Sequence, residues 1–370
     1  MINGINEDDR SGGSVSGAGD INGDGVADLI IGAAYARQIR NDDVGESYVV
    51  FGGARVGRVG VGSTGTIELS SLDGSDGFVI NGIDENDRSG ESVSGAGDIN
   101  GDGVADLIIG AEDADPNENN GAGESYVVFG GALVGDTGTI ALSSLDGSDG
   151  FVINGIDEDD RSGRSVSGAG DINGDGMDDL IINADPYAYA YSYSVESYVV
   201  FGGGGVGSTG TIELSSLDGS DGFVINGSLA NATSGRSASG AGDINGDGVA
   251  DLIIGADGGD PNGIFYGGES YVVFGGAGTG STGTIELSSL DGSDGFVING
   301  IDFGDGSGGS VSGAGDINGD GVAALIIGAE GAYPNGNSSA GESYVLFGIP
   351  ALLCNGLAVT VDLNQGQSPG

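Results

Sequence analysis

Short apolar runs alternate with clusters of glycine, aspartate, asparagine and serine along the whole chain, and no stretch keeps a helical period. Runs of four to seven β-branched and aromatic residues bounded by such turn formers are strands. The strings SVSGAG, DLIIGA, SYVVFGG and GFVINGI return in that order, with TIELSSL as an extra ribbon between the last two. The marker DINGDG begins at Asp20, Asp98, Asp171, Asp243 and Asp316, at intervals of 78, 73, 72 and 73 residues. The chain is therefore read as five copies of one all-β unit.

Four antiparallel strands repeated along a chain predict a β-propeller, in which radial stacking of the blades protects the strand edges. The expectation is five four-stranded blades over residues 1–348. A tail follows at 349–370, where the alternation from Leu357 to Leu363 suggests an extra strand or a linker. The fifth copy reaches Tyr344–Gly348 without its own GFVINGI, while the chain opens with Ile2-Asn3-Gly4-Ile5, the tail of that strand. The N-terminal strand is thus expected to complete the last blade beside Ser343 to Phe347, from the same chain or from a neighbour. The alternative is that the sequence cuts a longer array within a repeat.

Composition narrows the partners. Fifty-six acidic residues face 9 basic ones, for a net charge of −47, which disfavours nucleic acid and anionic membranes and points to cations. A saline habitat is the alternative explanation for the excess. Cys354 is the single cysteine, so no disulfide within the chain is available. No apolar run approaches the roughly 20 residues that cross a bilayer, and the residues after Met1 do not read as a secretory signal.

The marker lies in the pattern DxNxDGxxD, which places oxygen donors at alternate positions so that a short segment wraps a hard cation. The candidate ligands in loop 20–28 are Asp20, Asn22, Asp24, the carbonyl of Val26, and Asp28. Loop 98–106 offers Asp98, Asn100, Asp102, Val104 and Asp106; loop 171–179 offers Asp171, Asn173, Asp175, Met177 and Asp179; loop 243–251 offers Asp243, Asn245, Asp247, Val249 and Asp251. In loop 316–324, Asp316, Asn318 and Asp320 remain, but Ala324 stands where the closing acid is expected. Three carboxylates per loop suit Ca²⁺ better than Mg²⁺. Four strong calcium sites are expected, with the fifth weak or empty. An EF-hand is excluded, because position 12 carries Ile31, Ile109, Ile182 or Ile254 and flanking helices are missing.

These repeats resemble the FG-GAP repeats of integrin α-subunit propellers and of bacterial and cyanobacterial surface proteins. The resemblance spans residues 2–348. The Phe-Gly position reads Ser-Gly here, at Ser89-Gly90, Ser162-Gly163 and Ser234-Gly235, and Gly-Ala survives without its proline at Gly32-Ala33 and Gly255-Ala256. Asn183 replaces that glycine in the third copy. The resemblance implies a calcium loop between the first two strands of each blade.

Enzyme chemistry has little to stand on, since histidine and lysine are absent and nucleophile–base pairs are missing. A carboxylate pair for glycoside hydrolysis cannot be singled out among identical repeats. Binding is favoured, because the segment between the second and third strands differs from copy to copy, starting at Ala34, Glu112, Asp185, Asp257 and Glu330, and loops on a rigid scaffold carry recognition. Tyr187, Tyr189, Tyr191, Tyr193, Phe265 and Tyr266 are candidates for protein or carbohydrate contact. The reading is a calcium-stabilised extracellular or cell-surface scaffold for binding or adhesion. The alternative is a subunit of a homopolymeric filament assembled by strand exchange through the N-terminal or C-terminal strands.

Overall fold

The computed structural model describes residues 1–37, 43–53, 66–185, 195–227, 234–337, 339–348 and 360–363. It contains strands and short 3₁₀ turns only. Two compact units are formed, one from Met1–Gly168 with Gly202–Ser216, the other from Ala169–Phe201 with Leu217–Gly370. The division falls inside the strand Ser162–Gly170.

In the first unit one sheet runs in the order Thr139–Ala141, Gly77–Asn81, Glu46–Val50, Asp28–Ala33, Val15–Gly19. The next repeats the order with Thr211–Glu213, Gly150–Asn154, Glu124–Val128, Asp106–Ala111 and Ser92–Gly97. Neighbouring strands are antiparallel except the outermost, where the ribbon lies parallel, Thr139 opposite Val79 and Thr211 opposite Val152. That ribbon comes from the following repeat, so each sheet is stitched to the next copy along the chain. Residues 202–216 belong to the first unit for this reason.

The second unit holds Thr284–Glu286, Gly222–Asn226, Glu196–Val200 and Asp179–Ala184 in one sheet. Thr360–Asp362, Gly295–Asn299, Glu269–Val273, Asp251–Ala256 and Ser234–Gly242 form another. The last sheet has three described strands, Ser307–Gly315, Ala324–Ala329 and Glu342–Phe347.

The strand Asp106–Ala111 is buried at every position because its β-branched side chains meet apolar neighbours on both faces. Ile30, Val49, Phe51 and Phe78 of the first sheet share a core with Val93, Leu107 and Ile109 of the second. In the second unit Ile253, Val272 and Phe296 pack with Val311, Leu325 and Ile327. Glycine sets how closely sheets approach. A Cβ on Gly110 would run into the carbonyl oxygen of Gly163, and one on Gly32 into that of Gly90, while Gly90 and Gly163 themselves sit at φ near +90°. The Ser-Gly and Gly-Ala signatures are thus two sides of one backbone contact between successive copies.

One expectation is corrected and one is extended. The blades are not uniformly four-stranded, since the TIE ribbon adds a fifth strand and the last sheet shows three among the described residues. At the N-terminus Ile2–Asn3 pairs in parallel with Ile67–Glu68, a ribbon partner that the expectation for this strand did not include. The cause is the side-chain ladder of the ribbon. Asn3 Nδ2 donates to Glu68 Oε1 at 2.8 Å, as Asn154 Nδ2 donates to Glu213 Oε1 at 2.8 Å. The tail strand, Thr360–Asp362, takes the ribbon position on Gly295–Asn299, with Asn299 Nδ2 donating to Asp362 Oδ1 at 3.1 Å.

Candidate metal centre

All five marker loops fold alike. The sixth residue of each (Gly25, Gly103, Gly176, Gly248, Gly321) has φ between 88° and 94°, a turn closed to side-chain-bearing residues without strain. That glycine donates its N–H to the first aspartate, Asp20, Asp98, Asp171, Asp243 or Asp316, at 2.8 to 2.9 Å. The third-position amide oxygens of Asn22, Asn100, Asn173, Asn245 and Asn318 accept from the N–H of the fifth residue at 2.8 to 3.0 Å. The fifth-position carboxylates of Asp24, Asp102, Asp175, Asp247 and Asp320 accept from the seventh-residue N–H at 2.9 to 3.0 Å. Val26, Val104, Met177 and Val249, expected to offer carbonyls, are the donors of that last bond in their loops.

The ninth-position acids lie deeper than most of this set, although in the first loop Asn22 is buried too and its Nδ2 donates to Asp28 Oδ2 at 3.4 Å. Asp28, Asp106, Asp179 and Asp251 are buried. Asp28 accepts from Ile21 N–H at 3.0 Å and from Gly52 N–H at 2.7 Å; Asp106 accepts from Ile99 and Gly130 at 3.0 and 2.8 Å; Asp251 accepts from Ile244 and Gly275 at 2.8 and 2.9 Å. Asp179 accepts from Ile172 N–H at 2.9 Å. Each of the first three therefore ties its loop to the end of the third strand. Burial pushes the Asp106 carboxyl up to about 7; the Gly130 and Ile99 N–H groups oppose this, and Asp102 and Asp98 add to it. Asp251 is pushed up to about 7 in the same way. In the fifth loop the Ala324 side chain offers no acceptor, and Ile317 N–H donates to Gly315 O and Gly348 N–H to Ala323 O.

The donors fit a hard cation chemically: every side-chain ligand is an oxygen, and an oxygen that accepts one N–H keeps a second lone pair. Among the described residues, three acids do not already converge on a single point. The oxygens instead face the loop's own N–H groups.

The loops between the second and third strands carry a different surface. The guanidinium of Arg10 stacks 4.2 Å from the Tyr35 ring and that of Arg88 5.4 Å from it, while Arg88 reaches Asp113 at 2.9 Å and Arg164 reaches Glu112 at 3.0 Å. Tyr187, Tyr189, Tyr191 and Tyr193 lie outside the described residues. Phe265 and Tyr266 are exposed, with ring centroids 4.7 Å apart, and Phe265 stacks on Phe303 at 6.3 Å. Backbone bonds pin this cluster: Gly304 N–H to Phe265 O at 3.2 Å and Gly306 N–H to Tyr266 O at 3.0 Å. Sequence reading missed Phe303, whose position reads Glu7, Glu85 or Glu158 in other copies. It also missed a repeated tie in which Tyr48, Tyr198 and Tyr344 donate their hydroxyls to Glu46, Glu196 and Glu342 at 2.6 Å.

A family model described as FG-GAP repeat matches residues 11–50, 89–128, 162–200 and 234–273. Integrin alpha-4 of Xenopus laevis is 30% identical over 168 residues, 45% of this chain and 14% of that protein. Integrin alpha-5 of Xenopus laevis is 32% identical over 184 residues, 48% of this chain and 15% of that protein. The chain thus matches a small part of the length of these relatives. Among the described residues no helix is long and apolar enough to cross a membrane. Four matched repeats lie on the recurring sheets described above, so the chain carries FG-GAP repeats, a repeat of β-propeller folds, and is similar to integrin α chains over that part of its length.

Proposed function

We propose that this chain is a calcium-stabilised extracellular scaffold that binds a protein or carbohydrate ligand through its variable loops, and that it is not an enzyme. The observation that carries the binding reading is the pinned aromatic cluster of Phe265, Tyr266 and Phe303. Exposed rings held in place by the backbone cost little ordering entropy on contact, and the segment bearing two of them differs between otherwise similar copies. Calcium is held, in this reading, by the first, third and fifth side chains of the first four loops, with the seventh carbonyl and the ninth acid completing the shell. The ion supplies charge that offsets the crowded carboxylates. Typical extracellular modules bind calcium at about 10⁻⁴ to 10⁻³ M, which favours a location outside cells.

Arrays of glycans and matrix proteins probed in calcium buffer test the scaffold reading. A hit lost in a Phe265→Ala, Tyr266→Ala, Phe303→Ala variant of unchanged melting temperature supports it, and retention of every hit in that variant overturns the loop assignment.

A second reading, a homopolymeric filament, is favoured by the open edge of Glu342–Phe347, which has one strand neighbour among the described residues.

A further inference from the structure

We propose that copies of this chain join head to tail, with Ile2–Asn3 of one copy adding as the fourth strand to Glu342–Phe347 of the next; this rests on the filament reading. Four sheets share one register. Ser47, Ser125, Ser197 and Ser270 lie opposite Ile80, Ile153, Ile225 and Ile298, and the preceding glutamate lies opposite the following asparagine. In each of these sheets the Ile-Asn strand is flanked by the Glu-Ser-Tyr strand on one side, and its other side carries the parallel ribbon. Ile2–Asn3 already has its ribbon, Ile67–Glu68, and no second strand among the described residues. Among the described residues Glu342–Phe347 lacks that same partner. The shared register places Ile2 opposite Ser343 and Asn3 opposite Glu342.

The faces behind these edges match as well. Ile30, Val49 and Phe51 of the first sheet are 0%, 0% and 3% exposed because Val93 and Leu107 of the next copy cover them. Their counterparts in the last sheet, Ile326, Val345 and Phe347, are 40%, 45% and 49% exposed. The counterparts of Val93 and Leu107 in the first sheet, Val15 and Leu29, are 66% and 46% exposed, against 4% and 0%. Beside them opens a cleft of 480 Å³ lined by Ile2, Val15, Leu29, Ile31 and Leu69. One end of the chain therefore presents the face that a preceding sheet covers, and the other presents the face that a following sheet covers. A second copy supplies both with residues that already pack together inside the chain. A contact of this kind is heterologous and propagates, and main-chain bonding at the open edge gives it direction.

The test uses single-cysteine proteins in a Cys354→Ser background, one with Ile2→Cys and one with Ser343→Cys, mixed in calcium under mild oxidation. The expected result is a disulfide-linked heterodimer far in excess of either homodimer. Light scattering of the unmodified protein is expected to show oligomers that Phe347→Glu reduces to monomers without lowering the melting temperature. Oligomers without the 2–343 link would overturn this pairing and leave the filament reading standing. Monomers throughout would end both. A link formed within one chain by the double-cysteine protein would replace the proposal with closure of a single molecule.

Discussion

At the residue scale the contrast between the first four marker loops and the fifth is the sharpest feature. Asp28, Asp106 and Asp251 each hold two main-chain N–H groups, and Ala324 holds neither. Introducing Ala324→Asp restores the acceptor for Ile317 and Gly348 and adds the missing oxygen, so calorimetry should show calcium stoichiometry rising from about four to about five. An unchanged stoichiometry would mean the ninth position is structural only. A different carboxyl governs pH response. Burial, with Glu124 and Asp84 nearby, pushes Asp87 up to about 7 from 3.8. The folded state then takes up this proton well above the pH at which the unfolded chain does, so the contribution of this group is fully present below about pH 4 and is lost as pH rises from there through 7. Asp87→Asn should raise the melting temperature at pH 8 by a few degrees and leave it little changed below pH 4. Equal effects at both values would contradict the assignment.

At the element scale the strands and their order were legible, because a β-branched run such as Asp106–Ala111 between glycine-rich turns has one compatible reading. The Ile-Asn ribbon partner was not. Two residues at the N-terminus match the Ile-Asn strand in sequence, but that strand has two edges, and sequence periodicity does not say which edge a fragment fills. The side-chain ladder from Asn3 to Glu68 decides it. The loops were legible as an oxygen-rich repeat, whereas the inward turn of the ninth acid was hidden, since its partners Gly52 and Gly130 lie 24 residues on. The glycine of Gly-Ala was visible as a motif without its cause. Because a Cβ on Gly110 meets the Gly163 carbonyl, Gly110→Ala should cost roughly 2 kcal/mol or more in denaturant unfolding. Gly205→Ala, with open space at that position, should be close to neutral. Similar losses for the two would remove close sheet approach as the explanation.

At the scale of the whole molecule, net charge of −47 opposes compaction. The repeated cores and the stitched ribbons act against it, and bound calcium would do so with charge as well as contacts. A cation held only by the folded state adds RT ln(1 + [L]/Kd) at each site, so several loops together make the fold conditional on the ion. Melting followed by circular dichroism, in millimolar calcium and in excess chelator at matched ionic strength, is the most direct test. The account predicts a midpoint higher by many degrees in calcium, with chelated protein recovering on re-addition of the ion. Coincident curves would contradict it, leaving the five loops as hydrogen-bonded turns without a metal.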